Sequence, residues 1–208
     1  MTVAVIDNRA LPLWWLLPLW VVICLNIWSL GKDAQVRVDM PETAAPDVIA
    51  STQTVPWTFF HNVFDFPLVE REEIVVPVVP GHRALRVRVT KAGHDPWNVL
   101  VHTNTVKPIR RGDRIEGRVW LRLERAPQAQ GANTGRATLR LQNARSPYAA
   151  MQELHLILTP QWQEFTVAGV APHDFKAGEA NLIVYLAGQA QTVDVGPATL
   201  YNRGLPQP

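Results

Sequence analysis

The sequence predicts an all-β domain, an antiparallel two-sheet sandwich, preceded by one N-terminal transmembrane helix. Three observations lead to this fold class: an uncharged run at 10–31, short segments after residue 55 that alternate apolar and polar residues, and clusters of Pro, Gly, Asn and Asp between those segments. Alternating segments separated by turn signals, with no helical repeat between them, are typical of β-sandwiches. We therefore expect the sandwich at 55–203 and a short C-terminal tail at 204–208.

The N-terminal run extends from 10 to 31 and carries no formal charge between Arg9 and Lys32. As a helix it would be about 33 Å long at 1.5 Å per residue, which is enough to cross a hydrocarbon core of about 30 Å. A cleaved signal peptide is the alternative. The run is longer than the usual apolar core of a signal peptide, and no small-x-small cleavage site follows it. The pattern favours an anchor that is retained.

The anchor is rich in tryptophan, whose amphipathic ring favours the headgroup level of a bilayer. Four of these residues are candidate contacts for partner helices: Trp14, Trp15, Trp20 and Trp28. Short N-terminal tails usually stay in the cytoplasm, whereas long C-terminal domains translocate largely regardless of charge. We expect a single-pass protein of a bacterial inner membrane, with residues 1–9 cytoplasmic and the C-terminal domain periplasmic or otherwise extracytoplasmic.

The segment 32–54 is mixed in charge, contains two prolines and has little apolar periodicity. It predicts a linker or an extended arm. The next residues, 55–69, are rich in Trp and Phe. We assign this stretch to the first strand and its core aromatic side chains, and a patch that contacts a partner or the membrane is the alternative.

Three segments, 84–90, 114–125 and 136–142, place apolar residues on one face and arginine on the other, as the period of two in a β-strand requires. In 114–125 the odd-numbered positions are mainly apolar, and the even-numbered positions include three arginines and a tryptophan. Further strands are predicted at 70–79, 98–103, 153–158, 164–170, 181–187 and 192–201.

Several segments resemble the jelly-roll carbohydrate-binding modules attached to bacterial glycoside hydrolases. They are DPWNVLV, KPIRRGDRIEGRVWLR, LTPQWQEF, NLIVYLAG and TVDVGPATL, which occur in this order between 95 and 200. The resemblance covers roughly 55–201 and implies a galactose-binding-like jelly roll. It also implies that a glycan would lie across the concave face of one sheet or at the loop tips, held by exposed aromatic rings and polar side chains.

A surface of arginines around one tryptophan is the strongest candidate for ligand or partner binding, because guanidinium groups and a ring can stack on a sugar or clamp carboxylates. The candidate residues are Arg118, Trp120, Arg122, Arg136, Arg140 and the loop residue Tyr148. Alternatively, Trp120 is half-buried and the arginines pair with Glu116 and Glu124. Trp97 lies beside a proline at a strand start. We assign it to the core, and an exposed ring that stacks on a ligand is the less favoured alternative.

The sequence contains no motif of a hydrolase nucleophile, a phosphate-binding loop or a zinc protease. The six histidines are scattered, and Cys24, inside the anchor, is the one cysteine. The net charge of +2 argues against nucleic-acid binding. Calcium is sometimes structural in the resembled modules, but no cluster of oxygen ligands accompanies Asp194 in the closing strand. We expect no enzymatic activity, catalytic residue, metal or cofactor.

Two functions from different classes fit these patterns. The first is a non-catalytic accessory subunit whose anchor and sandwich both dock on a larger inner-membrane complex, with integral membrane proteins as partners. The alternative is a membrane-tethered protein that binds a cell-envelope or exported polysaccharide. The tryptophans of the anchor and the aromatic segment after the arm favour the subunit hypothesis, while the family resemblance and the arginine face favour the polysaccharide hypothesis. We rank the subunit hypothesis first.

Overall fold

A computed structural model describes residues 46–66, 68–126 and 133–205, which form two packed antiparallel sheets. The predicted all-β sandwich is therefore confirmed. The predicted anchor at 10–31, its four tryptophans and residues 32–45 of the predicted arm lie outside the described residues. Within the described ranges, no helix is long and apolar enough to cross a membrane.

The six-stranded sheet has its long C-terminal strand, β11, near the centre. The strand order is β3, β4, β11, β6, β9, and β1 pairs with the second half of β11 beyond the end of β4. The strands span Asp47–Ser51 (β1), Glu70–Val75 (β3), Arg83–Val89 (β4), Arg114–Arg125 (β6), Gln163–Val170 (β9) and Gln191–Asn202 (β11).

The five-stranded sheet has the order β2, β5, β10, β7, β8. Two short 3₁₀ turns, Pro80–His82 and Pro96–Asn98, precede β4 and β5. The strands of this sheet span Thr58–His61 (β2), Val99–Asn104 (β5), Gly135–Asn143 (β7), Ala150–Leu158 (β8) and Ala180–Tyr185 (β10). From β4 onward the chain changes sheet at every connection except the one between β7 and β8, which is the pattern of a jelly roll.

The core lies between the sheets and follows the alternation in the sequence. In β6, Ile115, Val119 and Leu121 are fully buried, whereas Arg118 and Arg122 on the other face are half-buried. Similar alternation in β4 and β7 supplies Val87 and Leu139 to the core. The hydrophobic effect therefore determines which face of each strand turns inward.

Strand β1 lies inside the segment that the sequence assigns to the extended arm. Its residues Ile49 and Ala50 are adjacent in the chain, yet both are buried in the core. A register shift between Val48 and Ala50, where β1 pairs with β11, makes this possible. Because the irregularity breaks the period of two, the pattern that identifies the other strands is absent here.

The outer face of the six-stranded sheet is held together by one buried carboxylate. Asp194 on β11 lies between Arg86 on β4 and Arg122 on β6, and its side chain is 0% exposed. Arg86 Nε donates to Asp194 Oδ1 at 2.7 Å, and Arg122 Nε donates to Asp194 Oδ2 at 2.7 Å. The hydrogen bond with Asp194 raises the pKa of Arg86 above its usual range. Asp194, the acidic residue at which calcium was considered from the sequence, therefore binds two guanidinium groups.

We expect Asp194→Asn to destabilise the fold by about 3–5 kcal/mol, because it removes the buried counter-charge of two partly buried arginines and leaves the exposed Glu124 as the carboxylate that they share. Urea unfolding of the full chain measures this loss. The matched control is Glu70→Gln, which breaks the exposed ion pair with Arg88 and should cost less than about 1 kcal/mol. Equal losses in the two variants would contradict the central role of Asp194.

Candidate functional site

The structure divides the predicted arginine and tryptophan face between two sheets. Arg118, Trp120 and Arg122 lie on β6 of the six-stranded sheet, while Arg136 and Arg140 lie on β7 of the five-stranded sheet. The strands follow each other in the chain, but the connection between them passes from one sheet to the other. The outer faces of the two sheets point away from each other, so the predicted residues do not form one surface.

The β6 residues of that predicted face are engaged in contacts within the sheet. Arg118 Nε donates to Glu116 Oε1 at 2.7 Å, and the pKa of Glu116 is lowered by hydrogen bonds from Arg203 first and Arg118 second. Arg122 also donates to Glu124 at 3.2 Å, and its guanidinium lies 5.1 Å from the Trp162 ring centre.

Trp120 is half-buried and packs, together with Trp162, against a small cluster formed by Val76, Val79 and Ala84. The outer surface of β6 therefore matches the alternative interpretation of the sequence, in which Trp120 is half-buried and the neighbouring arginines pair with glutamates.

The outer face of the five-stranded sheet is hollow. One row of paired residues crosses all five strands, and its exposure falls towards the centre: Phe60 is 51% exposed, Leu100 8%, Tyr185 7% and Thr138 8%, whereas the side chain of His155 on the far edge is 82% exposed. The next row runs through Thr58, His102, Ile183, Arg140 and Glu153. We call this depression the hollow.

The floor of the hollow contains polar atoms that are buried without a hydrogen-bond partner among the described residues. They include Asn181 Oδ1 and His102 Nδ1. Asn181 is only 5% exposed. Arg140 Nε lies 3.2 Å from Glu153 Oε2 but lacks hydrogen-bond geometry. Buried polar groups are usually hydrogen-bonded, so such atoms on one face indicate a surface that completes its hydrogen bonds with a ligand or water.

A hydrogen-bond network fixes the neighbouring side chains of the hollow. Tyr185 donates from its hydroxyl to Gln142 Oε1 at 3.0 Å, and Arg140 Nη1 donates to that hydroxyl oxygen at 3.2 Å. Arg140 Nη2 also donates to the backbone oxygen of Tyr148 at 3.2 Å. The network therefore joins the floor of the hollow to the loop between β7 and β8.

Two exposed aromatic rings stand at opposite ends of the hollow. Trp97, 49% exposed, precedes β5 in a 3₁₀ turn and meets the Tyr185 ring edge-on at 6.3 Å between centroids. Tyr148, 52% exposed, follows β7 and has a positive φ of 54°. Because β5 and β7 both pair antiparallel with β10, the start of one and the end of the other lie at opposite ends of the sheet.

His102 is the titratable group at the centre of the hollow. Burial lowers its pKa below the ordinary value of 6.5, and a smaller interaction with the Asn104 side chain opposes this shift. The imidazole is therefore neutral at pH 7, and a neutral ring offers one nitrogen as donor and the other as acceptor.

Arg140 and Tyr148 of this site were predicted from the sequence, whereas the residues of its floor were not. Asn181 and Tyr185 belong to β10, which reads as a continuous apolar segment and is buried at all six positions. Trp97, assigned to the core ahead of a ligand platform, is half exposed. The sequence did contain one signal for this floor. Asn181 and Tyr185 stand at the two ends of NLIVY and, in a strand, lie on the same face as Ile183.

No protein-family model and no curated protein matches this chain. Solved structures do match. A structure titled "CBM4 structure and function" is 16% identical, with a TM-score of 0.51, 75% of this chain covered and 94% of the other. A structure of "BiXyn10A CBM1" is 12% identical, with a TM-score of 0.53 and coverages of 74% and 98%.

The CBM22-1 xylan-binding domain of Paenibacillus barcinonensis Xyn10C is 10% identical, with a TM-score of 0.52 and coverages of 78% and 98%. At these identities the similarity establishes a shared fold, the jelly-roll sandwich of carbohydrate-binding modules. It confirms the part of the resemblance that concerns the fold.

Lowering the pH below 6.5 should destabilise the domain through His102. Its pKa is lower in the folded than in the unfolded state, so the unfolded chain binds the proton first as the pH falls. The loss begins near 6.5, the ordinary pKa of histidine, and ends at the folded-state pKa. Urea unfolding as a function of pH should show a smaller slope in this window for His102→Gln. An unchanged slope would contradict the burial of a neutral imidazole.

Proposed function

We propose that this domain binds carbohydrate in the hollow of the five-stranded sheet. The observation that carries the proposal is the pair of buried, unpartnered atoms Asn181 Oδ1 and His102 Nδ1, which lie on the floor between the exposed rings of Trp97 and Tyr148. This arrangement combines apolar ring surface at the ends with fixed hydrogen-bonding groups at the centre.

A saccharide is the ligand class that fits such a surface. Each sugar hydroxyl both donates and accepts, so a row of hydroxyls satisfies the Asn181 acceptor, the imidazole and the guanidinium of Arg140 together. The ring faces of a sugar carry C–H groups, which pack on the aromatic faces of Trp97 and Tyr148. The side chains are already held by the Tyr185 and Gln142 network, so binding orders few groups.

The comparisons support the same proposal at the level of fold. One similar structure is described as a xylan-binding domain, and the chain covers nearly all of it. Fold alone does not assign function, so it is the polar floor and the exposed rings of the hollow that support carbohydrate binding. Xylan is accordingly one member of the test panel and not the expected ligand by itself.

The accessory-subunit hypothesis remains a second proposal, and an exposed apolar tip favours it. In the turn after β2, Phe64 is 94% exposed and Val63 is 56% exposed. The turn is rigid, because Asn62 Oδ1 accepts from the Phe64 amide and Asp65 accepts from the side chain of Asn98. Membrane anchoring through 10–31 and a position outside the cytoplasm are part of this proposal. Copurification of the full chain in mild detergent tests it, and a chain that elutes without stoichiometric partners would contradict it.

We expect Trp97→Ala to weaken polysaccharide binding about tenfold, roughly 1.4 kcal/mol, through loss of ring contact. Affinity gels containing xylan, β-glucan, mannan or pectin identify a bound polysaccharide, and calorimetry with its oligosaccharides gives the dissociation constant. The control is Phe64→Ala, which removes a more exposed ring in the turn after β2, outside the two paired rows of the hollow, and should leave binding unchanged. Equal effects of the two variants, or no retention in any gel, would contradict the proposal.

Asn181→Leu separates a binding role from a structural one. It replaces a buried side chain that has an unpartnered acceptor with an apolar side chain of similar size, which is expected to leave stability unchanged or slightly higher. Saccharide binding should nevertheless fall about tenfold. Calorimetry and urea unfolding of the same preparation measure both quantities. A loss of stability together with unchanged binding would mean that Asn181 serves the fold instead.

A further inference from the structure

A second cleft opens in the six-stranded sheet where β11 changes partners. Val195 is the last residue of β11 paired with β4, and Thr199 is paired with β1. Gly196 and Pro197, which follow Val195, also interrupt the register with β6, and pairing with that strand resumes at Ala198. The gap has a volume of about 370 Å³, within the range of small-molecule sites. We call it the strand-switch cleft, and it shares no lining residue with the hollow.

One wall of the strand-switch cleft is the indole of Trp57. Its Nε1 donates to the backbone oxygen of Gly196 at 2.9 Å, which fixes the ring against the bulge. The ring is half-buried, and Pro56 and Pro197 lie beside it in the lining. The cleft therefore has a rigid, flat, apolar wall that needs no rearrangement to receive a ligand.

The other side carries two charged groups of opposite sign. Glu73 on β3 and Arg83 on β4 both line the cleft and are exposed. Among the described residues, neither side chain has an ion-pair or hydrogen-bond partner, in contrast to Glu72 and Arg86 on the outer face of the same two strands, which pair at 3.5 Å. Gln53 also lines the cleft, and its side-chain amide has no hydrogen-bond partner among the described residues.

Protection of a sheet edge is the simplest structural explanation for charged side chains on the inner face of an edge strand. It accounts for Arg71, whose guanidinium lies 4.6 Å from the Phe59 ring centre and covers the core there. It does not require that a carboxylate, a guanidinium and an amide line the same cleft opposite a fixed indole. That convergence is the usual composition of a ligand site.

We propose that the strand-switch cleft is a second saccharide site that receives one neutral sugar unit. The charges of Glu73 and Arg83 cancel, so the cleft favours a ligand without net charge. Carboxylate and guanidinium provide charge-assisted acceptors and donors for hydroxyl groups, and the indole receives a C–H face of the ring. A domain with two separate sites would cross-link glycan chains or bind one chain with higher avidity.

The test uses ¹⁹F NMR of the full chain labelled with 5-fluorotryptophan, in a detergent that contains no sugar. The ligands are methyl glycosides of xylose, glucose, galactose and mannose and the corresponding β-linked tetrasaccharides. The resonances of Trp57 and Trp97, assigned with Trp57→Phe and Trp97→Phe, report separately on the cleft and the hollow. We expect at least one of these ligands to shift the Trp57 resonance in a saturable manner.

Glu73→Gln and Arg83→Gln should each weaken the titration of the Trp57 resonance about tenfold, through loss of a charge-assisted hydrogen bond, and leave that of Trp97 unchanged. Glu72→Gln, on the outer face of β3, is the matched control and should have no effect. A Trp57 resonance that no ligand shifts, or that shifts equally in all variants, overturns the second site. The Trp97 resonance reports ligand binding in the hollow independently. A result that overturns the second site is therefore distinguishable from one that overturns the proposed function.

Discussion

The burial of β10 on both faces is the constraint on which the candidate site depends. Leu182 and Val184 face the core, as in any sandwich, but Asn181 and Tyr185 on the opposite face are also nearly inaccessible. Polar groups are thereby held where water has limited access. In such surroundings a hydrogen bond is stronger, and a polar group without a partner costs more free energy. A ligand that supplied the missing partners would therefore be bound favourably.

The polar groups on the outer faces of the two sheets differ in whether they have partners within the protein. On the six-stranded sheet, Asp194 is bonded to Arg86 and Arg122, and Glu124 pairs with both arginines at 3.2 Å, so the charges satisfy one another. Such a surface holds strands together and leaves few hydrogen bonds for a ligand. On the five-stranded sheet the outer face combines the neutral polar side chains of Asn181 and His102 with the pair formed by Arg140 and Glu153, and buried atoms of Asn181, His102 and Arg140 have no hydrogen-bond partner among the described residues. The proposed function therefore assigns recognition to the five-stranded sheet, and the ion-pair network stabilises the six-stranded one.

Most strands could be predicted from the sequence, but the sheet that each strand joins could not. The alternation in β6 correctly predicted which residues enter the core, because burial imposes that period directly. Alternation contains no information on which sheet a strand joins, so Arg118 and Arg140 were grouped although they lie on opposite sides of the sandwich. Local irregularity hid β1, whose bulge buries two consecutive residues. The floor of the hollow was missed because a strand buried on both faces resembles any core strand, and only its position in the sheet identifies Asn181 as a site residue.

The central claim is that a glycan lies across the five-stranded sheet. A crystal structure of the full chain with an oligosaccharide of the polysaccharide that it binds tests this most directly. We predict a sugar ring on Trp97 and hydroxyl groups within hydrogen-bond distance of Asn181 Oδ1 and His102 Nδ1. A saccharide bound to the outer face of the six-stranded sheet, around Trp120 and Arg122, with an empty hollow, would contradict the account.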